Sequence, residues 1–290
     1  MSRCSSLASS SPGAGLENRR DFLVKGLALG FALAARPIGA PAAVTTDAAG
    51  LSAGEVKIPV PGGALPGYRA CPIKGRLFPT VLVVPDIFGV DQHIKDLCRR
   101  LAHSGYCAVA AEIFARQGDV SKISDVQEIV SQVVSRVPDS QVMSDLDAAI
   151  AWAGKSSRGD TSRVAIAGFC WGGRIVWLYA ANSGVVKAGA AWCGRLEGDR
   201  TQVTPRHPID CAGSFRAPVI GFYAGKDPSI PLESVEKMRS VLSVVGDPSQ
   251  IVVYPEAQRG FDADDRPSYE EAAARDAWRK MLDWFKKYGV

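Results

Sequence analysis

The sequence predicts an α/β fold, with a mostly parallel central sheet and helices on both faces. Short apolar runs such as Thr80 to Val84 (TVLVV) are continuous rather than alternating, which is typical of strands buried on both faces. These runs alternate with segments of helical periodicity, and that order is typical of a parallel sheet covered by helices. At 290 residues and 47% hydrophobic content, the chain can build one large core without dividing into two domains.

The N-terminal residues differ in composition from the rest of the chain. The paired arginines Arg19 and Arg20 precede the short apolar run Gly26 to Ala35, and small residues follow. This order is typical of a twin-arginine export signal, although an amphipathic helix or a disordered tail is the alternative. We expect a signal peptide and linker at residues 1–43 and a single α/β domain at residues 44–290. The mature protein is then periplasmic or secreted, without a stable membrane span.

Regular patterns begin after this linker. A Gly-Gly turn at residues 62–63 predicts a hairpin between the first two strands, and Pro138 separates two helical segments. The predicted strands are 55–60, 67–71, 80–84, 106–111, 164–168, 188–192, 219–223 and 251–254. The predicted helices are 94–103, 123–137, 141–154, 172–181, 232–244 and 269–288.

The composition argues against several classes of protein. The net charge is +4, and no block of Lys and Arg indicates nucleic-acid binding. The seven cysteines include no C-x-x-C pair and no cluster with histidine, so we expect no metal site and no cofactor. The sequence leaves open whether disulfides form. A monomer is the default expectation.

The most informative motif is the segment GFCWGG, from Gly168 to Gly173. It follows a predicted strand and opens a predicted helix, as in the nucleophile elbow of the α/β-hydrolase fold, with Cys170 in the serine position. Glycines permit the tight turn, the helix N-terminus favours the thiolate, and the N–H of Trp171 points at a developing oxyanion. The motif therefore predicts a cysteine nucleophile; the alternative is a buried cysteine beside a glycine turn.

Two later positions concern the partners of this nucleophile. Asp227 directly follows the strand at 219–223, where a triad acid belongs, although a turn or capping role is the alternative. After the strand at 251–254, where a histidine is expected, the sequence has Arg259. Of the three histidines, His93 alone is expected near the mouth of the pocket, where it could substitute as a base.

With these motifs, the chain from Leu51 to Val290 resembles the dienelactone hydrolases (carboxymethylenebutenolidases), especially their twin-arginine-exported relatives. The resemblance implies that Asp86, where the family has glutamate, holds the resting thiol, and that the N–H of Ile87 is the second oxyanion donor. It also implies that Arg116 meets a substrate carboxylate, with a structural ion pair as the alternative. Arg174 is interpreted as a residue of the helix surface, with a place in the pocket lining as the alternative.

The substitution at Arg259 shapes the predicted activity. A guanidinium stays protonated and cannot act as a base, but its charge can lower the pKa of Cys170. We therefore expect a carboxylic ester or lactone hydrolase in which acylation partly survives and deacylation is slow. The alternatives are a protein that binds a small carboxylate or a partner without turnover, and a thiol-based redox role.

Overall fold

One mostly parallel sheet of eight strands organises the computed structural model, which describes residues 45–156 and 158–290. The expected export signal lies outside the described residues. The strands are β1 (Leu51–Val60), β2 (Gly63–Pro72), β3 (Phe78–Val84), β4 (Cys107–Ala111), β5 (Gly159–Phe169), β6 (Val186–Trp192), β7 (Val219–Ala224) and β8 (Gln250–Tyr254). Their order is β1-β2-β4-β3-β5-β6-β7-β8. The β1–β2 and β2–β4 pairs are antiparallel and the remaining neighbours are parallel, which confirms the predicted sheet.

Helices cover both faces of this sheet. They are α1 (Gln92–His103), α2 (Val126–Glu128), α3 (Asp139–Ser156), α4 (Trp171–Asn182), α5 (Leu232–Val244) and α6 (Glu271–Lys287). Every residue of β4 and of β7 is buried, as the continuous apolar runs predicted for strands between two helical layers. No helix in the described part of the chain combines the length and the apolar character needed to cross a membrane.

The structure differs from the prediction mainly between positions 123 and 137. The helical segment predicted there is shorter and irregular: α2 has a single turn, which a π-helical turn (Ile129–Val133) and a 3₁₀ turn (Val134–Arg136) continue. Asp125 caps the start, accepting a hydrogen bond from the N–H of Glu128 at 2.7 Å. The following residues are mainly β-branched, which weakens helix propensity, and burial of Ile129, Val130 and Val133 determines the local path instead.

The parallel strands place several loops at one edge of the sheet. The segments that follow β3, β5, β6, β7 and β8 all leave from the carboxyl ends of their strands. In open α/β sheets this edge is where ligands bind. It carries Asp86, Cys170, Asp227 and Arg259, which are far apart in the sequence.

Candidate active site

The tight turn between β5 and α4 holds Cys170. Its backbone has a φ of +50°, in the left-handed region, and its N–H donates to the carbonyl of Trp192 in β6 at 2.8 Å. A Cβ atom added to Gly168 would lie 2.3 Å from the carbonyl oxygen of Gly172, and one added to Gly172 would lie 2.4 Å from that of Val84. Both glycines are therefore required by close backbone packing, and the structure forms the elbow that the motif predicts.

The thiol of Cys170 is buried, and charged side chains of both signs affect it. The residue is only 5% exposed, and burial raises the pKa of the thiol to about 11. The positive charges of Arg259 and Arg266 lower this pKa, whereas the charge of Asp86 raises it. The expectation that the helix N-terminus and Arg259 would favour the thiolate is thus outweighed by desolvation, which sequence alone does not report.

Arg259 lies beside Asp227, the predicted triad acid. Its Nη1 donates to Oδ2 of Asp227 at 2.8 Å and to Oγ of Ser229 at 2.6 Å, and its Nη2 donates to the carbonyl of Cys193 at 3.4 Å. Burial alone would lower the pKa of Arg259, but the acidic groups of Cys170 and Asp227 outweigh it, so the pKa is raised. The guanidinium is a fixed cation next to the thiol and cannot accept a proton there.

Asp227 is held on its other side by the loop that follows β7. Its Oδ1 accepts hydrogen bonds from the N–H of Ser229 at 2.8 Å and from the Ser229 hydroxyl at 2.7 Å. The carboxylate is 6% exposed and both of its oxygens have donors. The structure therefore brings Asp227 and Arg259 together as a buried, hydrogen-bonded ion pair beside Cys170.

Asp86 is engaged differently from what the resemblance implies. Its Oδ2 accepts from Nη2 of Arg266 at 2.6 Å and its Oδ1 accepts from the N–H of Phe88 at 2.9 Å. Within the described ranges, the Cys170 sulfur has no hydrogen bond to this carboxylate or to another group. Sequence analysis did not single out Arg266, whose partner is 180 positions away. Its position in the loop after β8, which also contains Arg259, was the one feature of the sequence that could have indicated it.

The two predicted oxyanion donors follow neighbouring strands. Ile87 is fully buried just after β3, and Trp171 begins α4 immediately after Cys170. Close contact of Gly172 with the carbonyl oxygens of Val84 and Pro85 brings these two segments together. Among the described residues, neither N–H donates to a backbone carbonyl, so both are available to an incoming oxygen.

Two arginines lie in structural ion pairs. Arg116 makes a bidentate pair with the buried Asp145, with N–O distances of 2.7 and 2.8 Å. The structure thus places it in the ion pair that was its alternative role. Arg174 makes a similar pair with Asp139, at 2.7 and 2.8 Å, and is 6% exposed. Its assignment to the helix surface was wrong. Helical periodicity does not show that another segment, the one with Asp139, lies against α4.

His93 lies on the other flank of the elbow, against the ring of Phe169 with 6.1 Å between centroids. Its Nε2 is 3.8 Å from Oδ2 of Asp262, and its Nδ1 is 3.9 Å from Oδ1 of Asp265. Burial alone would lower the pKa of His93, but the contact with Asp262 outweighs it and the pKa is raised. His93 is therefore near the elbow, where it faces carboxylates.

The same flank contains the group of described side chains closest to a metal-binding arrangement. Ligand atoms of His93, Asp264 and Asp265 lie within 4.8 Å of one another. Asp264, however, is already ion-paired with Arg100.

A cavity of about 430 Å³ adjoins the elbow on this flank. Its walls combine apolar, acidic and basic side chains, including Leu97, Phe169, Trp192, Asp262, Arg275 and Trp278. Phe169 immediately precedes Cys170 in the chain, and Trp192 accepts the hydrogen bond from the Cys170 N–H. A small organic ligand in this cavity would contact residues that hold the elbow in place.

The sheet, the elbow and the acid after β7 define an α/β hydrolase. The chain belongs to the dienelactone hydrolase family, whose model matches residues 65–289. A protein of Methylorubrum extorquens, provisionally named a carboxymethylenebutenolidase, is 54% identical over 273 residues, which are 94% of each chain. One from Escherichia coli K12 with the same provisional name is 48% identical, over 90% of this chain and 96% of its own. The crystal structure of a provisionally named dienelactone hydrolase from Klebsiella pneumoniae has 48% identity and a TM-score of 0.80, covering 82% of this chain and 99% of its own.

Proposed function

We propose that this protein hydrolyses small carboxylic esters or lactones through Cys170, and that its deacylation step is slow. The observation that carries the proposal is the ion pair beside the Cys170 thiol, in which Nη1 of Arg259 lies 2.8 Å from Oδ2 of Asp227. The fold, the elbow and the provisional names of the relatives all support a carboxymethylenebutenolidase-like hydrolase. Arg259 is the reason why we expect acylation to proceed while deacylation is slow.

Acylation uses groups that are present. The Cys170 thiolate attacks the ester carbonyl carbon, and the N–H groups of Ile87 and Trp171 stabilise the oxyanion that forms. When the tetrahedral intermediate collapses, the C–O bond to the leaving group breaks. The alkoxide takes up one proton, and the thiol released one proton when it became the thiolate, so protons balance. A thioester on Cys170 remains. The cations of Arg259 and Arg266 stabilise the thiolate, which offsets part of the cost of its burial.

Deacylation needs a group that position 259 does not supply. Attack of water on the thioester is faster when a base removes the proton of the water. A positioned base typically increases this rate about a hundred- to ten-thousandfold. Asp227 is occupied by Arg259 and Ser229. His93, which faces Asp262, is the described histidine on the flank of the elbow and is the candidate for residual base catalysis.

A burst experiment tests this proposal. With p-nitrophenyl acetate in excess, we expect close to one equivalent of p-nitrophenol per Cys170 in a fast phase, then a much slower steady state. Mass spectrometry of the protein during the slow phase should show one acetyl group on the Cys170 peptide. C170A is the matched control and should lose both the burst and the adduct.

Two outcomes would count against the proposal. Turnover that C170A retains in full would exclude the cysteine as the nucleophile. A linear time course without adduct would show that deacylation is not the slow step. A thiol that is alkylated by iodoacetamide but gives no acyl adduct would favour the alternative of a binding protein without turnover. H93Q should reduce only the slow phase if His93 serves as the residual base.

We also propose that residues 1–43 direct export through the twin-arginine route and that the mature protein is periplasmic or secreted. The paired arginines Arg19 and Arg20 before a short apolar run support this proposal. Replacing both by lysine should retain the full-length chain in the cytoplasm, as measured by cell fractionation. Unchanged export of that variant would contradict the proposal, and a variant with Arg3→Lys is the matched control.

A further inference from the structure

Cys71 and Cys107 lie opposite each other on two neighbouring antiparallel strands. Cys71 is the penultimate residue of β2, and Cys107 is the first residue of β4. The register pairs Arg69 with Val109 and Ala70 with Ala108. One further step along this register places Cys71 directly across from Cys107, so their side chains project from the same face of the sheet.

The type of strand pair also favours close approach. The N–H of Glu112 donates to the carbonyl of Pro66 at 2.9 Å, which makes the pair at these positions a hydrogen-bonded one. Hydrogen-bonded and non-hydrogen-bonded pairs alternate along an antiparallel ladder. Counting along the register from Pro66, Cys71 and Cys107 form a non-hydrogen-bonded pair. In such pairs the Cα atoms are about 4.5 Å apart, a separation that a disulfide can bridge.

The two thiols are in contact and share a dry environment. Both residues are fully buried, and the Cys71 thiol lies within hydrogen-bonding range of Cys107. Both this contact and burial raise the pKa of Cys71. Cys98, on α1, is the competing partner for Cys107, because the charge of Cys107 raises the pKa of the Cys98 thiol. The strand register, however, pairs Cys107 with Cys71.

We infer that Cys71 and Cys107 are a disulfide-forming pair, closed during folding by exchange with a small-molecule disulfide such as oxidised glutathione. One protein thiolate attacks the small disulfide and releases one reduced thiol, and the second protein thiolate displaces the other. Two protein thiols are oxidised and one disulfide is reduced to two thiols. Because burial keeps thiols protonated and inaccessible in the folded state, exchange occurs before β2 and β4 are covered.

The bond would fasten one side of the sheet. Strands β1 and β2 form a hairpin at the sheet edge, joined to the remaining strands through the β2–β4 pair. A cross-link between β2 and β4 would therefore tie this edge hairpin to the parallel strands. The pair lies outside the Cys170 site as described, so its oxidation is tested independently of hydrolysis.

Refolding under defined redox conditions tests the inference on the full chain. Denatured, reduced protein is refolded with a glutathione redox buffer and then unfolded in denaturant with N-ethylmaleimide, which blocks the remaining thiols, and peptides are mapped without reduction. We expect a Cys71–Cys107 cross-linked peptide and five blocked thiols of the seven in the chain. A dominant Cys98–Cys107 cross-link, or seven blocked thiols in protein that had refolded before the denaturant was added, would overturn the inference.

Two variants sharpen this test. C71A should leave Cys107 blocked by N-ethylmaleimide, whereas the matched control C211A should keep the cross-link. Oxidised protein should melt roughly 5–10 °C above protein refolded with a reductant, and the difference should vanish in C71A. Equal melting temperatures in the presence of a mapped cross-link would contradict the fastening role of the bond. Should C71A fail to fold, the peptide map of the unaltered chain still decides the pairing.

Discussion

Arg259 and Cys170 illustrate how much of this site depends on single side chains. The guanidinium lies in a buried pair with Asp227 and contributes positive charge next to a thiol whose burial raises its pKa to about 11. The same residue thus eases formation of the thiolate and offers no base for water. Its replacement separates the two effects.

Arg259→His should raise the steady-state rate of ester hydrolysis by about a hundred- to ten-thousandfold, because histidine can donate to Asp227 and accept a proton from water. Stopped-flow assays with p-nitrophenyl acetate measure the burst and the steady state separately. Arg259→Lys keeps a cation but adds no base and is the matched control. If the histidine variant hydrolyses no faster than the lysine variant, the missing base does not limit this site.

The pH dependence of alkylation tests the environment of the thiol. Because burial raises the pKa of Cys170 to about 11, the thiolate fraction should grow about tenfold for each pH unit between pH 7 and 10. Iodoacetamide labelling, read from the Cys170 peptide, should still accelerate above pH 9. Free glutathione under the same conditions should level off earlier. A plateau of the protein rate below pH 8 would show that the cations outweigh burial.

The pair of Asp86 and Arg266 provides a stability test at the residue scale. Both side chains are buried, and their oxygen and nitrogen atoms are 2.6 Å apart. Arg266→Met leaves the carboxylate buried without its cation and should lower the free energy of unfolding by about 3–5 kcal/mol. Urea denaturation at pH 7 measures the loss. The double change of Asp86→Asn with Arg266→Met should recover part of it, and equal losses would argue against an uncompensated charge.

At the scale of elements, the elbow depends on contact between α4 and the segment after β3. Gly172, in the first turn of α4, lies so close to the carbonyls of Val84 and Pro85 that an added Cβ would be 2.4 Å and 2.6 Å from their oxygens. Relief of that contact requires α4 to move away from β3. Such a movement would also separate the N–H groups of Ile87 and Trp171, which the proposed mechanism uses together.

Gly172→Ala should therefore reduce both the stability and the acylation burst. The collision is with backbone atoms, which cannot rotate away, so we expect a fall of about 1–3 kcal/mol in the free energy of unfolding. Gly54→Ala in β1 is the matched control, because an added Cβ there meets nothing within 4 Å. Urea denaturation and the burst amplitude are measured for both variants. Equal behaviour of the two would contradict the tight elbow.

At the scale of the whole molecule, the chain order of the strands explains how the site is assembled. Residues from five separated loops meet because β3, β5, β6, β7 and β8 are parallel and end at the same edge. The edge hairpin of β1 and β2 stands apart from this arrangement and joins it through one antiparallel pair. The candidate site and the proposed cross-link therefore lie in different parts of one sheet.

Local patterns were sufficient for most of the architecture. The apolar runs predicted the eight strands, and the GFCWGG segment predicted the elbow, because strand burial and tight turns leave their marks on neighbouring residues. The helical segment expected over 123–137 is confirmed only as a shorter, irregular one, because burial of one face there acts against weak helix propensity. The hairpin and strand limits also extended beyond their predicted bounds, since apolar alternation ends before the hydrogen-bonded ladder does.

The sequence by itself determined the type and order of the elements, the position of Cys170 in the elbow and the absence of histidine at position 259. Only the tertiary structure decided that Asp86 pairs with Arg266, that Arg116 and Arg174 lie in ion pairs, and that burial governs the thiol. The physical reason is the range of the interactions. Backbone preferences act between neighbours in the chain, whereas desolvation and ion pairing depend on segments that folding brings together from distant positions.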